Sequence, residues 1–157
     1  MENAWQQAFG KMVYGIYVLT TAHGEKVNGM IASWVSQISY DPPLVMAAVH
    51  PNRYSHQLIR QSGVFALHVI GKDQKALLAR FKGPDPLAKF SDLEWRPGRM
   101  GCPILRDCVA FLECCVEESL RPGNHTLFIG RVVAGELLAD GVALDTGDYD
   151  GMYTGRS

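Results

Sequence analysis

The hydrophobic pattern of the chain is mainly that of β-strands. Short runs rich in β-branched and aromatic residues recur between turns that contain glycine or proline. The run 43–50 is almost wholly apolar, and it therefore predicts a strand that is buried on both faces. The predicted strands are 15–21, 27–34, 43–50, 64–70, 107–118 and 125–138.

Helical periodicity is confined to short stretches. Near the start of the chain, apolar residues follow one another at spacings of four and three, which predicts a short amphipathic helix around Trp5 and Phe9. Ser55 is a suitable N-cap and Gly63 a suitable stop for a second helix. Asp73 is a suitable cap for a third.

Two segments are predicted to be irregular. Prolines and glycines are spread through 82–103, which predicts a long connection, and long ordered loops are often functional. Between two apolar runs, Ser33 to Ser39 is interrupted by small polar residues. This second segment is either a solvated loop or a wall shaped around a ligand.

These elements together predict the fold class. Six or seven strands with a few short helices, and without strand–helix alternation, favour a closed or partly closed antiparallel barrel in a single domain, 1–157. Neither a dinucleotide-binding glycine motif nor a P-loop sequence is present.

Composition narrows the function classes. A net charge of −1 and a pI of about 6.5 argue against nucleic acid as a partner. The apolar runs are too short to span a bilayer, and "MENAWQQAF" lacks the features of a signal peptide, so a cytoplasmic location is predicted. The four cysteines show no metal-binding spacing, so we expect reduced thiols and no metal site.

Candidate ligand-binding residues begin at the second predicted helix. The segment "HPNRYSH" places Asn52, Arg53, Tyr54 and Ser55 at a helix start, where a guanidinium, a hydroxyl and the helix dipole suit a phosphate group. The alternative is an ordinary capped helix on the surface.

Further along the chain, Lys89 stands beside Phe90 in the predicted long connection and has the charge to contact a phosphate. The alternative is a solvated lysine. His125 lies where a turn enters a strand, and it is either a hydrogen-bonding group for a ligand or a packed turn histidine. Hydrolase motifs are absent from the sequence.

Four ordered segments carry a family resemblance that runs from about Ala8 to Tyr153. They are "NGMIASWVSQISYDPPLV", "HPNRYSHQLIRQSGVFALHVI", "LLARFKG…AKF" and "GNHTLFIGRV". Together they resemble the flavin reductase family, the FMN-binding split-barrel group, which includes NAD(P)H:FMN reductases, ferric reductases and flavoredoxins.

The resemblance implies a homodimeric, antiparallel, Greek-key-like split barrel that binds FMN. It implies an oxidoreductase that takes electrons from NAD(P)H and passes them to a flavin, a ferric compound or a redox protein. By the resemblance, His125 would lie beside the flavin ring, where nicotinamide approaches. The implied FMN-binding residues are Ser33, Trp34, Val35, Gln37, Ser39, Asn52, Arg53, Tyr54, Ser55, Lys89 and Phe90.

Two departures from the family pattern concern the site. Asn124 stands where the family more often has an acidic residue before the histidine, and Ser55 replaces a common threonine while keeping the hydroxyl. Two alternatives therefore remain: a flavoredoxin-type electron carrier that is reduced by a protein partner, and a barrel that binds a ligand without turnover.

Overall fold

Seven strands form one antiparallel sheet in the computed structural model, which describes residues 1–149 and 153–156. The sheet order is β2-β1-β5-β8-β9-β4-β3, and β6 and β7 form a separate hairpin. The strands are β1 Tyr17–His23, β2 Lys26–Ala32, β3 Val35–Ser39, β4 Leu44–Val49, β5 Val64–Val69, β6 Trp95–Pro97, β7 Pro103–Leu105, β8 Ala110–Leu120 and β9 Thr126–Leu137.

The connection between β2 and β3 shows why this sheet curls into a barrel. These two strands are the opposite edges of the sheet, yet only Ser33 and Trp34 join them. In a flat sheet, six spacings of about 4.8 Å would separate the edges by roughly 29 Å, whereas this link spans at most about 11 Å. The edges must therefore approach each other without pairing. The predicted antiparallel, partly closed barrel is confirmed.

The helical segments precede or connect the strands. They are α1 Ala4–Phe9, α2 Tyr54–Ser62, a 3₁₀ segment Lys72–Phe81 and α3 Pro86–Phe90. Helix α2 ends at Gly63, whose φ of 72° is left-handed, as the sequence predicts. Among the described residues, no helix is long and apolar enough to cross a membrane.

Two predicted helix caps are wrong. The N-cap of α2 is Arg53, and Ser55 lies inside the helix with its hydroxyl turned to another partner. The 3₁₀ segment begins after Gly71 rather than at Asp73. There the Gln74 side chain accepts a hydrogen bond from the Gly71 amide at 2.9 Å. The side chain of a helix residue thus bonds the backbone of the cap residue, whereas in the usual N-cap the cap side chain bonds the helix backbone.

The two segments predicted to be irregular contain regular structure. Residues 35–39 form the edge strand β3, and 82–103 includes α3 and β6. Asp85 caps α3 by accepting a hydrogen bond from the Leu87 amide at 3.0 Å, and Pro86 follows at the first helical position. An acidic cap followed by proline is a strong helix start, and it was hidden among the loop-forming residues around it.

Both faces of the sheet are buried at its centre. Along β5, Val64 and Ala66 belong to one apolar cluster and Phe65 and Leu67 to another, as the alternation of a strand requires. The 3₁₀ segment covers the first cluster with Leu78 and Phe81, and α2 joins the second through Ile59. The sheet is therefore a rigid base for side chains at its edges.

Gly130, in the middle of β9, has no room for a side chain. A Cβ there would lie 2.7 Å from both Phe65 Cζ and Cys114 Cβ, and Phe65 is fully buried. We expect Gly130→Ala to lower the free energy of unfolding by about 2 kcal/mol through overpacking, measured by urea denaturation. Adding Phe65→Leu should recover part of the loss. Gly123→Ala, where nothing lies within 4 Å, is the control and should change little; equal losses would contradict the prediction.

Candidate functional site

A cleft of about 640 Å³ lies between β2, the start of α2, α3 and the chain around Tyr153. This volume is within the range of small-molecule sites. The polar and aromatic residues that line the cleft are Asn28, Ser33, Asn52, Arg53, Tyr54, Phe81, Lys82, Lys89, Thr146, Tyr149 and Tyr153. Residues from distant parts of the sequence thus share one concave surface.

The cleft is positively charged. Arg53, Lys82 and Lys89 line it, and no carboxylate occurs among the described residues of its wall. Burial lowers the pKa of Lys89, and the neighbouring Arg53 lowers that pKa further, while Asp85 opposes the change. An anion between Arg53 and Lys89 would relieve the repulsion between the two cations, so the cleft is suited to a negatively charged group.

Lys89 is held by neutral groups. Its side chain is only 5% exposed, and its Nζ donates to Asn28 Oδ1 at 3.0 Å and to the Gly29 carbonyl at 2.8 Å. An ammonium group has three N–H donors, so one remains for a ligand. No described carboxylate forms an ion pair with it. The alternative of a solvated lysine is wrong.

Ser55 lies one layer behind the cleft. It is fully buried, and its Oγ accepts a hydrogen bond from Asn28 Nδ2 at 2.8 Å. Ser55, which was predicted to bind a phosphate, therefore contacts Asn28. The sequence reasoning did not select Asn28. The available signal was a polar side chain inside a predicted strand, where asparagine is uncommon.

His125 is enclosed by a hydrogen-bonded network. The Asn124 amide donates through Nδ2 to the Gly155 carbonyl at 2.9 Å, which leaves its Oδ1 to accept from His125 Nδ1 at 2.7 Å. His125 Nε2 therefore accepts from the Tyr153 hydroxyl at 2.5 Å. Burial, followed by the charges of His50 and Arg53, lowers the pKa of His125, so the ring is neutral in this network.

Aromatic rings surround the same histidine. The Trp34 centroid lies 4.7 Å from that of His125 and 5.1 Å from that of Tyr153. Trp34 borders a small adjoining cavity together with Ser33, and its buried Nε1 is left without a hydrogen-bond partner among the described residues. An unpaired buried donor costs about 1–3 kcal/mol, so this indole N–H is available to an acceptor on a ligand.

The predicted site residues divide between cleft and scaffold. The cleft brings together Ser33, Asn52, Arg53, Tyr54 and Lys89. The other predicted residues lie outside its wall. Val35 packs against the core, Gln37 donates to the Ser39 carbonyl, and Phe90 packs edge-on against Phe81 and at a tilt against Trp95.

Besides Asn28, the sequence reasoning missed four residues of the cleft wall that carry a polar side-chain group. They are Lys82, Thr146, Tyr149 and Tyr153. Their only signal was position, since Lys82 opens the glycine- and proline-rich stretch and the other three lie in the glycine-punctuated tail. Only the folded chain brings these segments to one cleft.

Comparison with known proteins decides the family. Residues 9–155 match the flavin reductase like domain family. The chain belongs to this family. Three of the four ordered segments of the sequence, around Asn28, Arg53 and Lys89, meet at the cleft in the fold.

Relatives within the family carry reductase names. A probable flavin reductase from Rhizobium meliloti is 33% identical over 85% of this chain, which spans 43% of that relative's length. A ferric-chelate reductase (NAD(P)H) from Archaeoglobus fulgidus is 29% identical, with 96% of this chain and 92% of the relative covered.

A solved structure shares the fold. An NADH:FAD oxidoreductase from Streptomyces globisporus, in complex with NAD and FAD fragments, superposes with a TM-score of 0.82 at 27% identity. The match covers 90% of this chain and 85% of that one. The split barrel described above is thus the fold of known flavin reductases.

Asn124 gives a test of the His125 network. An aspartate there would face the Gly155 carbonyl with an oxygen instead of an N–H, and it would place a negative charge beside the imidazole. We expect Asn124→Asp to raise the pKa of His125, because a carboxylate stabilises the imidazolium form. NMR titration of the ring protons measures this value. Asn124→Ser, which adds no charge, is the control; a pKa that Asn124→Asp leaves unchanged would contradict the network.

Proposed function

We propose that this chain binds FMN in the cleft and acts as an NAD(P)H-dependent oxidoreductase. It would pass electrons from the nicotinamide nucleotide to a free flavin, a ferric compound or a redox protein. The observation that carries the proposal is the pair of cations, Arg53 and Lys89, which face one cleft without a carboxylate among its described wall residues. Membership of the flavin reductase like family supports a flavin as the ligand whose phosphate this anion site would bind.

The cations of the cleft fit a phosphate monoester. Arg53 offers a planar fork of donors, and Lys89 offers its remaining N–H. Both lie by the start of α2, a nine-residue helix whose dipole adds partial positive charge. The single phosphate of FMN suits this set of donors, whereas FAD would carry a second phosphate and an adenosine away from it.

The aromatic side chains around the cleft fit a flat ring. Tyr149 and Tyr153 line the cleft with Ser33, and Trp34 borders the small adjoining cavity at the point where β2 turns into β3. The unpaired Trp34 Nε1 is a donor for an acceptor on such a ring. A bound flavin would supply the redox chemistry, since it accepts a hydride from a reduced nicotinamide and releases the electrons to an acceptor. The residues of this chain would bind and orient it and exclude water.

His125 would act as a positioning residue. Both of its ring nitrogens are engaged, with Asn124 and with Tyr153, and its lowered pKa keeps the ring neutral. It would therefore hold Tyr153 and Trp34 in place at the edge of the flavin site instead of transferring a proton.

We also propose a homodimer in the cytoplasm. Support for self-association comes from exposed apolar side chains near the start of the chain, such as Trp5 at 61%, Phe9 at 58% and Val13 at 67%, of which Trp5 and Phe9 contact each other edge-on. Four free cysteines agree with a reducing compartment.

One observation favours a second candidate function, that of an electron carrier. Tyr153 hydrogen-bonds to His125 Nε2 and packs edge-on against its ring, so it fills space beside the histidine near which the family resemblance puts the nicotinamide. A flavin protein reduced by a protein partner needs no such space. This candidate predicts bound FMN without oxidation of NADH.

The test combines binding and turnover. Purified protein is titrated with FMN, followed by flavin absorbance and fluorescence, and NADH or NADPH oxidation is then measured with FMN or a ferric chelate as acceptor. We expect stoichiometric FMN binding and acceptor-dependent nucleotide oxidation. Binding without oxidation would favour the carrier, and failure to bind FMN would reject both.

A further inference from the structure

We propose that Asn28 is a positioning residue that keeps the Lys89 ammonium charged and aimed at a phosphate monoester, so that the cleft discriminates FMN from riboflavin. The inference rests on the proposed function and names the residue that gives it phosphate selectivity. Asn28 has no place among the residues implied by the sequence. Its role follows from its two hydrogen bonds, to Ser55 and to Lys89.

Three buried polar side chains from three separate elements form a single chain of hydrogen bonds. Ser55 of α2 accepts from Asn28 Nδ2 at 2.8 Å, and Asn28 Oδ1 of β2 accepts from Lys89 Nζ of α3 at 3.0 Å. All three side chains are at most 5% exposed. Asn28 and Lys89 also line the cleft, so this chain ends at the ligand space.

Lys89 fixes the direction of the Asn28 amide, and Ser55 anchors its other end. If the amide were reversed, its NH₂ group would point at the Lys89 ammonium, and two donors would face each other. The Oδ1 atom is therefore the one presented to Lys89, and Ser55 Oγ holds Nδ2 by accepting its hydrogen bond. The fully buried serine therefore acts on the cation through the asparagine.

The neutrality of Asn28 matters as much as its geometry. Lys89 donates its two hydrogen bonds to the Asn28 amide oxygen and the Gly29 carbonyl, neither of which cancels its charge. A carboxylate in the same place would pair with the ammonium and compete with a ligand phosphate. An uncharged acceptor holds the lysine in position and leaves its full charge for the dianion.

The test is the isosteric variant Asn28→Asp. Its carboxylate would still hydrogen-bond to Ser55, whose hydroxyl would then donate. It would also form an ion pair with the Lys89 ammonium and offset the positive charge that a ligand phosphate meets. We expect the Kd for FMN to rise about tenfold or more, since about 1.4 kcal/mol corresponds to a factor of ten, while the Kd for riboflavin stays unchanged. Ser55→Ala, which removes the anchor without adding charge, should raise the Kd for FMN by a smaller factor.

Thr21→Val is the matched control. Thr21 is fully buried and donates to the Val64 carbonyl at 2.8 Å, so this variant also loses one buried hydrogen bond, away from the cleft wall. It should leave the FMN-to-riboflavin affinity ratio at the wild-type value.

The outcomes separate the inference from the proposed function. A wild-type protein that binds no FMN would reject the proposed function itself. Wild-type binding of FMN with an unchanged ratio in both Asn28→Asp and Ser55→Ala would overturn only the role of Asn28. Equal weakening of FMN and riboflavin would also overturn it, because loss of structure does not distinguish the two ligands.

Discussion

The double variant Arg53→Ala/Lys89→Met should bind FMN about 10³-fold more weakly than the wild-type chain. Each substitution removes charge-assisted hydrogen bonds to a phosphate, which contribute roughly 1.5–3 kcal/mol apiece. Two such losses amount to about 4 kcal/mol, which is a factor of about 10³ in Kd. No other pair of cleft residues is expected to have so large an effect, because Arg53 lies near enough to Lys89 to lower its pKa and the two cations can share one phosphate.

The measurement is a flavin fluorescence titration with FMN and riboflavin in parallel. Riboflavin lacks the phosphate, so its Kd should change little in the double variant. The control is Lys26→Met/Arg121→Ala, which removes the same two charges from exposed positions outside the cleft wall. A loss of FMN affinity below tenfold, or an equal loss for riboflavin, would show that the phosphate lies elsewhere.

The protein should lose about 3 kcal/mol of stability from the single residue His68 as the pH falls from about 6.5 to about 4. His68 is fully buried and connects three strands. The Leu105 amide donates to its Nε2 at 3.1 Å, so Nδ1 carries the proton and donates to the Val18 carbonyl at 3.0 Å. Burial lowers the pKa of this imidazole to about 4.

The direction follows from which state binds the proton. In the unfolded chain His68 has its ordinary pKa of 6.5 and takes up a proton as the pH falls below that value. The folded chain resists protonation until about pH 4. Between these values the unfolded state binds more protons, so the free energy of unfolding falls with falling pH. The stabilisation is complete above the unfolded pKa and is lost on acidification.

Urea denaturation at about pH 7.5 and about pH 4.5 measures the change in the free energy of unfolding. His68→Gln retains an amide donor and acceptor but does not titrate, so it should lose less stability than the wild-type chain over the same interval. His56 and His125, whose pKa values are also lowered, contribute in the same direction to both proteins and cancel in the comparison. Equal losses in the two proteins would contradict the assignment to His68.

Much of the fold could be predicted because its signals are local. The apolar runs 15–21 and 64–70 correspond to β1 and β5, and the left-handed Gly63 ends α2 as expected. The cap at Asp85 was missed because one short helix among prolines and glycines has too few residues for a visible period.

The sequence by itself determined the antiparallel barrel, the family and the position of Arg53 at a helix start, because alternation, turn residues and ordered motifs are written in neighbouring residues. Only the tertiary structure decided that Lys89 is buried, that Ser55 hydrogen-bonds to Asn28 and that Tyr153 meets His125. These contacts join residues that are 61, 27 and 28 positions apart. The partner that a polar side chain finds at such a distance depends on how the barrel closes and on which helices pack against it, and no local pattern carries that information.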